Sequence, residues 1–167
     1  MDFDRQDGIC IEDGWHGPDG VRVGHATHPD SPTGCTVFVF PRASAYGISV
    51  TGGAASTRQV SALMRGHSVS TADAFLFVGG SAYGLDAAGG VMRRLEALGR
   101  GTHVGGMFVP SVPTAALFDL PLNPGGARPE APLGAGAFDA AVEAGVAEGR
   151  IGAGAGATVG KVLGPPG

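Results

Sequence analysis

A mixed α/β fold is the class this sequence predicts, and three observations carry it. Ala74, Phe75, Leu76, Phe77 and Val78 are apolar throughout, the pattern of a central strand covered on both faces. A glycine-rich loop, Gly79-Gly80-Ser81-Ala82-Tyr83-Gly84, follows at once. Beyond it Leu85, Ala88, Met92, Leu95 and Leu98 recur at three and four residues, while Arg93, Arg94, Glu96 and Arg100 fall off that stripe. Such spacing marks an amphipathic helix.

The other elements follow in chain order. Residues 1–20 carry many Asp and Gly with little periodicity and read as an irregular lead-in. Residues 21–167 read as one folded portion without internal repeats. Val21-Arg22-Val23 is a short strand, and residues 35–40 form a stronger one stopped by Pro41. Residues 46–50 alternate polar and apolar with a strand's period of two. After a Gly52-Gly53 turn, residues 57–64 suit a short helix. Gly99 and Gly101 end the main helix, and residues 107–109 are another strand. A proline- and glycine-rich loop is expected over 121–134. Phe138, Ala141, Val142, Gly145 and Val146 mark a second helix, with Asp139, Glu143 and Glu148 on its wet face. The closing stretch 152–161 alternates glycine with small residues, which suits backbone lying against backbone.

Composition sets the outer limits. The 167 residues include 31 glycines and 12 prolines, a content high enough to raise low-complexity disorder. A hydrophobic fraction of 43% and a net charge of only −4 weigh against it. The length suits one globular core. No apolar run reaches the ~18 residues of a membrane span, and the acidic start Met1-Asp2-Phe3-Asp4 is unlike a signal peptide. Eleven basic against fifteen acidic residues, without a basic cluster, make nucleic acid an unexpected partner. A cytoplasmic location is expected. Cys10 and Cys35 are read as reduced thiols, Cys35 as a small buried hydrophobe in a strand.

The loop at 79–84 fails three standard tests of spacing. A P-loop would need Gly-Lys-Ser/Thr where Gly84-Leu85-Asp86 stands. A dinucleotide fingerprint would need glycine where Ser81 stands. A nucleophile elbow would need glycine where Tyr83 stands. Two readings of Ser81 stay open: a helix cap, or the start of a helix whose free N–H groups receive a carboxylate or an oxyanion. The stretch before Lys161 also misses a P-loop, with Ala155 and Val162 at positions that need Gly and Ser or Thr. His25 and His28, with Asp30 close behind, fall in a turn before Pro32, where locally hydrogen-bonded imidazoles fit better than a metal site. Neither a metal nor a cofactor is expected. Trp15 reads as a packing anchor.

Taken as an ordered set, these loops resemble a known family. Residues 20–27 (Gly-Val-Arg-Val-Gly-His-Ala-Thr), 34–37 (Gly-Cys-Thr-Val) and Gly52-Gly53-Ala54 running into Thr57-Arg58 resemble the P1 peptidases, the self-processing DmpA-type aminopeptidases of family S58. The resemblance continues through 79–93, 109–120 and 152–161. It implies a four-layer α/β/β/α sandwich, assembly into homo-oligomers, and hydrolysis of short peptides or amides. In that family a precursor cuts itself before a Ser or Thr, which becomes the nucleophile, activated by its own amine.

On that resemblance the nucleophile would lie beyond Gly167, with a β-type portion or related subunits as the missing partner. Gly79, Gly80, Ser81 and Tyr83 match the family's motif and are expected to line the substrate or oxyanion site, with Ser81 a donor and not the nucleophile. Family members carry Tyr near Phe118 and Asn near Arg150, so neither residue inherits a role. The rival expectation is a catalytically inactive truncated homologue acting as a binding or assembly scaffold. A nucleotide-binding domain is disfavoured by the failed spacings.

Overall fold

A computed structural model describes residues 15, 17–53, 55–64, 70–161 and 164. Cys10, His16 and His67 lie outside the described residues. The described residues form seven strands and two α-helices: β1 (Arg22–Thr27), β2 (Gly34–Ala45), β3 (Thr57–Arg58), β4 (Thr71–Val78), α1 (Ala87–Ala97), β5 (Thr102–Val104), β6 (Met107–Val109), β7 (Thr114–Ala116) and α2 (Ala131–Asp139). Five strands join one mixed sheet in the order β1-β2-β4-β7-β3, in which only β4 and β7 run parallel. β5 and β6 form a separate hairpin.

The register sorts side chains onto two faces. Cys35 pairs with Val78, Val37 with Leu76 and Val39 with Ala74. All six are buried to 1% exposure or less and pack with Ala87, Ala88, Val91 and Leu95 of α1 and Ala137 and Phe138 of α2. The intervening pairs, Thr36 with Phe77 and Phe38 with Phe75, point the other way because strand side chains alternate. There Phe77 is 42% exposed, although the Phe38 ring meets it edge-on at 5.9 Å and itself lies 5.3 Å from the tilted Trp15 ring. Among the described residues the central strand is therefore covered on one face, not on both.

The two helices approach each other more closely than side chains permit. A Cβ on Gly90 would lie 1.9 Å from the Ala131 carbonyl oxygen, and one on Gly134 would lie 2.0 Å from that of Ala87. Glycine at those two points lets backbone meet backbone.

Several boundaries differ from the sequence expectation. β2 runs past Pro41, with a register irregularity between Val39 and Ser44 that accommodates a residue without an N–H. Residues 46–50 form no strand despite their alternation; they flank a groove on the open face. Residues 57–64 divide into the two-residue β3 and a 3₁₀ turn, Ser61–Leu63. The second helix starts seven residues before Phe138, the first residue expected to mark it, inside the supposed loop, with Pro132 in its first turn, where a missing N–H costs nothing. It ends at Asp139, and Val142 pairs with Val23 instead. Gly145 and Gly149, both at positive φ, cannot continue a right-handed helix.

Candidate functional site

The strand–loop–helix unit is built as the sequence indicated: β4, then residues 79–80, a 3₁₀ turn Ser81–Asp86 and α1. Gly79 and Gly80 are buried, Ser81 is half-buried, and Tyr83 is 65% exposed. Gly80 has φ +75° and Ser81 φ +56°. A non-glycine residue in that region costs about 1–3 kcal/mol and persists only where its surroundings enforce it.

The surroundings are backbone hydrogen bonds. Gly79 N–H donates to the Gly34 carbonyl (2.8 Å) and Ser81 N–H to that of Leu117 (3.0 Å). Gly80 N–H donates to Asp119 Oδ1 at 2.7 Å. These three N–H groups are thus spent within the protein. Gly80 occupies the cap position and no side chain caps this turn, so the Ser81 hydroxyl has no capping role either.

Asp119 is the residue the sequence reasoning missed. It is fully buried, and its Oδ2 accepts the Thr33 hydroxyl at 2.7 Å. One carboxylate thereby joins the β1–β2 turn to the loop after β4. It also sits against the closing glycine stretch, since a Cβ on Gly156 would lie 2.9 Å from Asp119 Cβ and 2.0 Å from the Pro32 carbonyl. A Cβ on Gly79 would lie 2.1 Å from Asp119 Oδ2. The glycines at 79 and 156 are therefore demanded by the buried carboxylate. The closing stretch is tied down further: Gly152 N–H donates to Thr27 Oγ1 (2.8 Å) and Ala153 N–H to Thr36 Oγ1 (3.1 Å).

Around this hub lies a cavity of about 300 Å³, lined by Phe118, Asp119, Leu122, Thr158, Val159 and Lys161 among others. Phe118 is half exposed, and Arg150 is exposed on the segment before Gly152. On the far side of the loop the Arg128 guanidinium stands 5.2 Å from the Tyr83 ring centre, a cation–π distance. Asn123, 3% exposed, accepts from the Ser31 hydroxyl and donates to the Ala127 carbonyl, fixing the segment that carries Arg128.

No described residue hydrogen-bonds the Ser81 hydroxyl, so no base stands ready to activate it. His28 Nδ1 accepts from Asp30 N–H at 3.2 Å within the turn. His25 lies on β1, with Nδ1 2.9 Å from Thr36 Oγ1. Burial pushes the His25 pKa down, and the Ala147 backbone offsets part of that. Cys35 is a free, fully buried thiol whose pKa burial pushes up to about 12, so it is inert at neutral pH.

Residues 19–167 match the model of peptidase family S58. Among sequence relatives, an uncharacterised aminopeptidase of Mycobacterium leprae is 41% identical over 160 residues, and one of Mycobacterium tuberculosis is 42% identical over 153. Each alignment covers 87% of this chain and 44% of the relative. The chain thus spans less than half the length of these relatives. Among solved structures, a Burkholderia sp. beta-aminopeptidase matches 82% of this chain and 40% of its own, with a TM-score of 0.62 and 22% identity, a likeness of fold.

Proposed function

The chain belongs to peptidase family S58, and on that premise we propose that it is the α-type, site-lining portion of a self-processing aminopeptidase acting on short peptides or amides. The nucleophile, a Ser or Thr exposed by self-cleavage, comes from a companion β-type portion. Gly79, Gly80, Ser81 and Tyr83 form the wall against which the substrate lies. The observation that carries this reading is the condition of Ser81: it is held in a strained backbone conformation by its bond to Leu117, next to Gly80 whose N–H reaches Asp119 on the cavity wall, yet no described residue stands by it as a base.

A second feature supports a missing layer. The open sheet face presents Phe38, Phe75 and Phe77 beside a groove of about 490 Å³ bordered by residues 46–51 and 113–116. A second sheet laid on it would complete the four-layer α/β/β/α sandwich, since sheets stack about 10 Å apart through interleaved side chains. Members assembled in this way would form homo-oligomers in the cytoplasm.

The test is complementation. The chain is co-expressed with the remaining portion of the Mycobacterium tuberculosis relative, and hydrolysis of amino-acid p-nitroanilides is followed. Turnover by the pair, absent from either part alone, is the expected result. Turnover by the isolated chain that vanishes in Ser81→Ala would overturn it and make Ser81 the nucleophile. A stable pair without turnover would favour the scaffold reading instead.

A further inference from the structure

We propose that the cavity between the β1–β2 turn and the start of α2 binds a small zwitterion, a free amino acid or dipeptide, with Arg128 receiving its carboxylate and Glu130 its ammonium group. The cavity measures about 370 Å³, and His28, Pro29, Arg128, Glu130, Pro132 and Leu133 are on its wall. That volume is near the lower end for small-molecule sites and suits a ligand of one or two residues.

Charge selects the ligand. Arg128 and Glu130 line the same cavity but form no ion pair, and among the described residues Arg128 has no carboxylate partner. A simple anion would meet Glu130, and a simple cation would meet Arg128. A molecule bearing both charges satisfies each with a charge-assisted hydrogen bond. Leu133, Pro29 and Pro132 supply an apolar wall for a side chain.

The cation is already held in place. Arg128 Nη1 donates to the Ala127 carbonyl at 2.8 Å, and its guanidinium lies over Tyr83. Its stem rests on the glycine loop, where a Cβ on Gly80 would lie 3.2 Å from Arg128 Cδ. Pro129, next in the chain, is fully buried, and Asn123 clamps the Ala127 carbonyl. An arginine restrained on so many sides loses little freedom on binding. Contact with Gly80 and Tyr83 places this site beside the loop proposed to line the substrate path, but it does not depend on the hydrolase reading.

The test is calorimetric titration of the full chain with L-leucine and glycyl-L-leucine. Leucinamide, which lacks the carboxylate, and N-acetyl-leucine, which lacks the ammonium group, serve as comparisons. Saturable binding of either zwitterion, at least about tenfold tighter than both comparison compounds, is expected. Arg128→Gln should abolish the preference over leucinamide, and Glu130→Gln the preference over N-acetyl-leucine. Absence of saturable binding, equal binding of all four compounds, or unchanged preferences in both variants would overturn the proposal. Because no turnover is measured, failure here is distinct from failure of complementation.

Discussion

The two faces of the five-stranded sheet share the same strands but present different chemistry. Toward the helices, Val37, Val39, Leu76 and Val78 are small, branched and fully enclosed. Away from them, Phe38, Phe75 and Phe77 are large, flat and partly wet. One face is a finished core; the other is a surface with the composition of a core. The contrast teaches that the chain folds around its helical side and leaves its aromatic side partly open to water.

The largest effect should come from cutting into the finished face. Leu76→Ala is expected to cost about 2–5 kcal/mol of unfolding free energy, as enclosed leucines do. Its neighbour in the other direction, Phe77→Ala, should cost under about 1.5 kcal/mol in denaturant titration, since much of that ring is already hydrated. Equal losses at the two positions would break the distinction between the faces.

Next in size is the tether at the loop end of the sheet. Asp119→Ala leaves the Gly80 N–H and the Thr33 hydroxyl without their acceptor, at about 1–3 kcal/mol for each donor that stays buried. Asp119→Asn keeps an oxygen for Gly80 and should lose roughly half as much. Thermal unfolding of the two variants checks this, and an alanine variant as stable as the parent would show the carboxylate to be dispensable.

A third measurement addresses the open face directly. The chain should sediment as an associated species, since exposed apolar patches of this kind mediate contact. Phe77→Lys should shift it toward monomer without unfolding it. A monomeric parent would show that the aromatic face tolerates water.

The smallest effect concerns His25, which borders the open face. Its pKa in the fold lies below that of the unfolded chain, so the unfolded state takes up the proton first. Stability linked to this group is therefore full above about pH 6.5 and declines as pH falls toward the lowered value. The difference in stability between the parent and His25→Gln should shrink on acidification through that window. A pH-independent difference would contradict the linkage.

Much of this was legible in the sequence. The β4–loop–α1 unit is marked by an unbroken apolar run, a glycine break and a helical stripe, all local signals. Residues 46–50 show where locality fails: alternation qualifies a segment for a sheet only if a neighbouring strand offers it hydrogen bonds. The second helix was misplaced because Pro132, Gly134 and Gly136 look like loop residues, whereas Gly134 is needed for contact with α1. Asp119 left only a faint trace, one acid among Leu117, Phe118 and Leu120. Its partners lie 86 and 39 residues away, beyond the reach of any periodic pattern.

The borders of the sheet carry a final consequence. At one border β3 is two residues long, and at the other Val142 exchanges two backbone hydrogen bonds with Val23 of β1, while the Thr27 hydroxyl accepts from Gly152 N–H. A very short edge and an edge crossed by a bridge are both poor templates for another strand. Growth by lateral strand addition, the route to fibrils, is therefore obstructed, and copies that stick together do so by stacking. Stacking saturates once each aromatic face is occupied, so association through the open face should end in a bounded particle and not a filament.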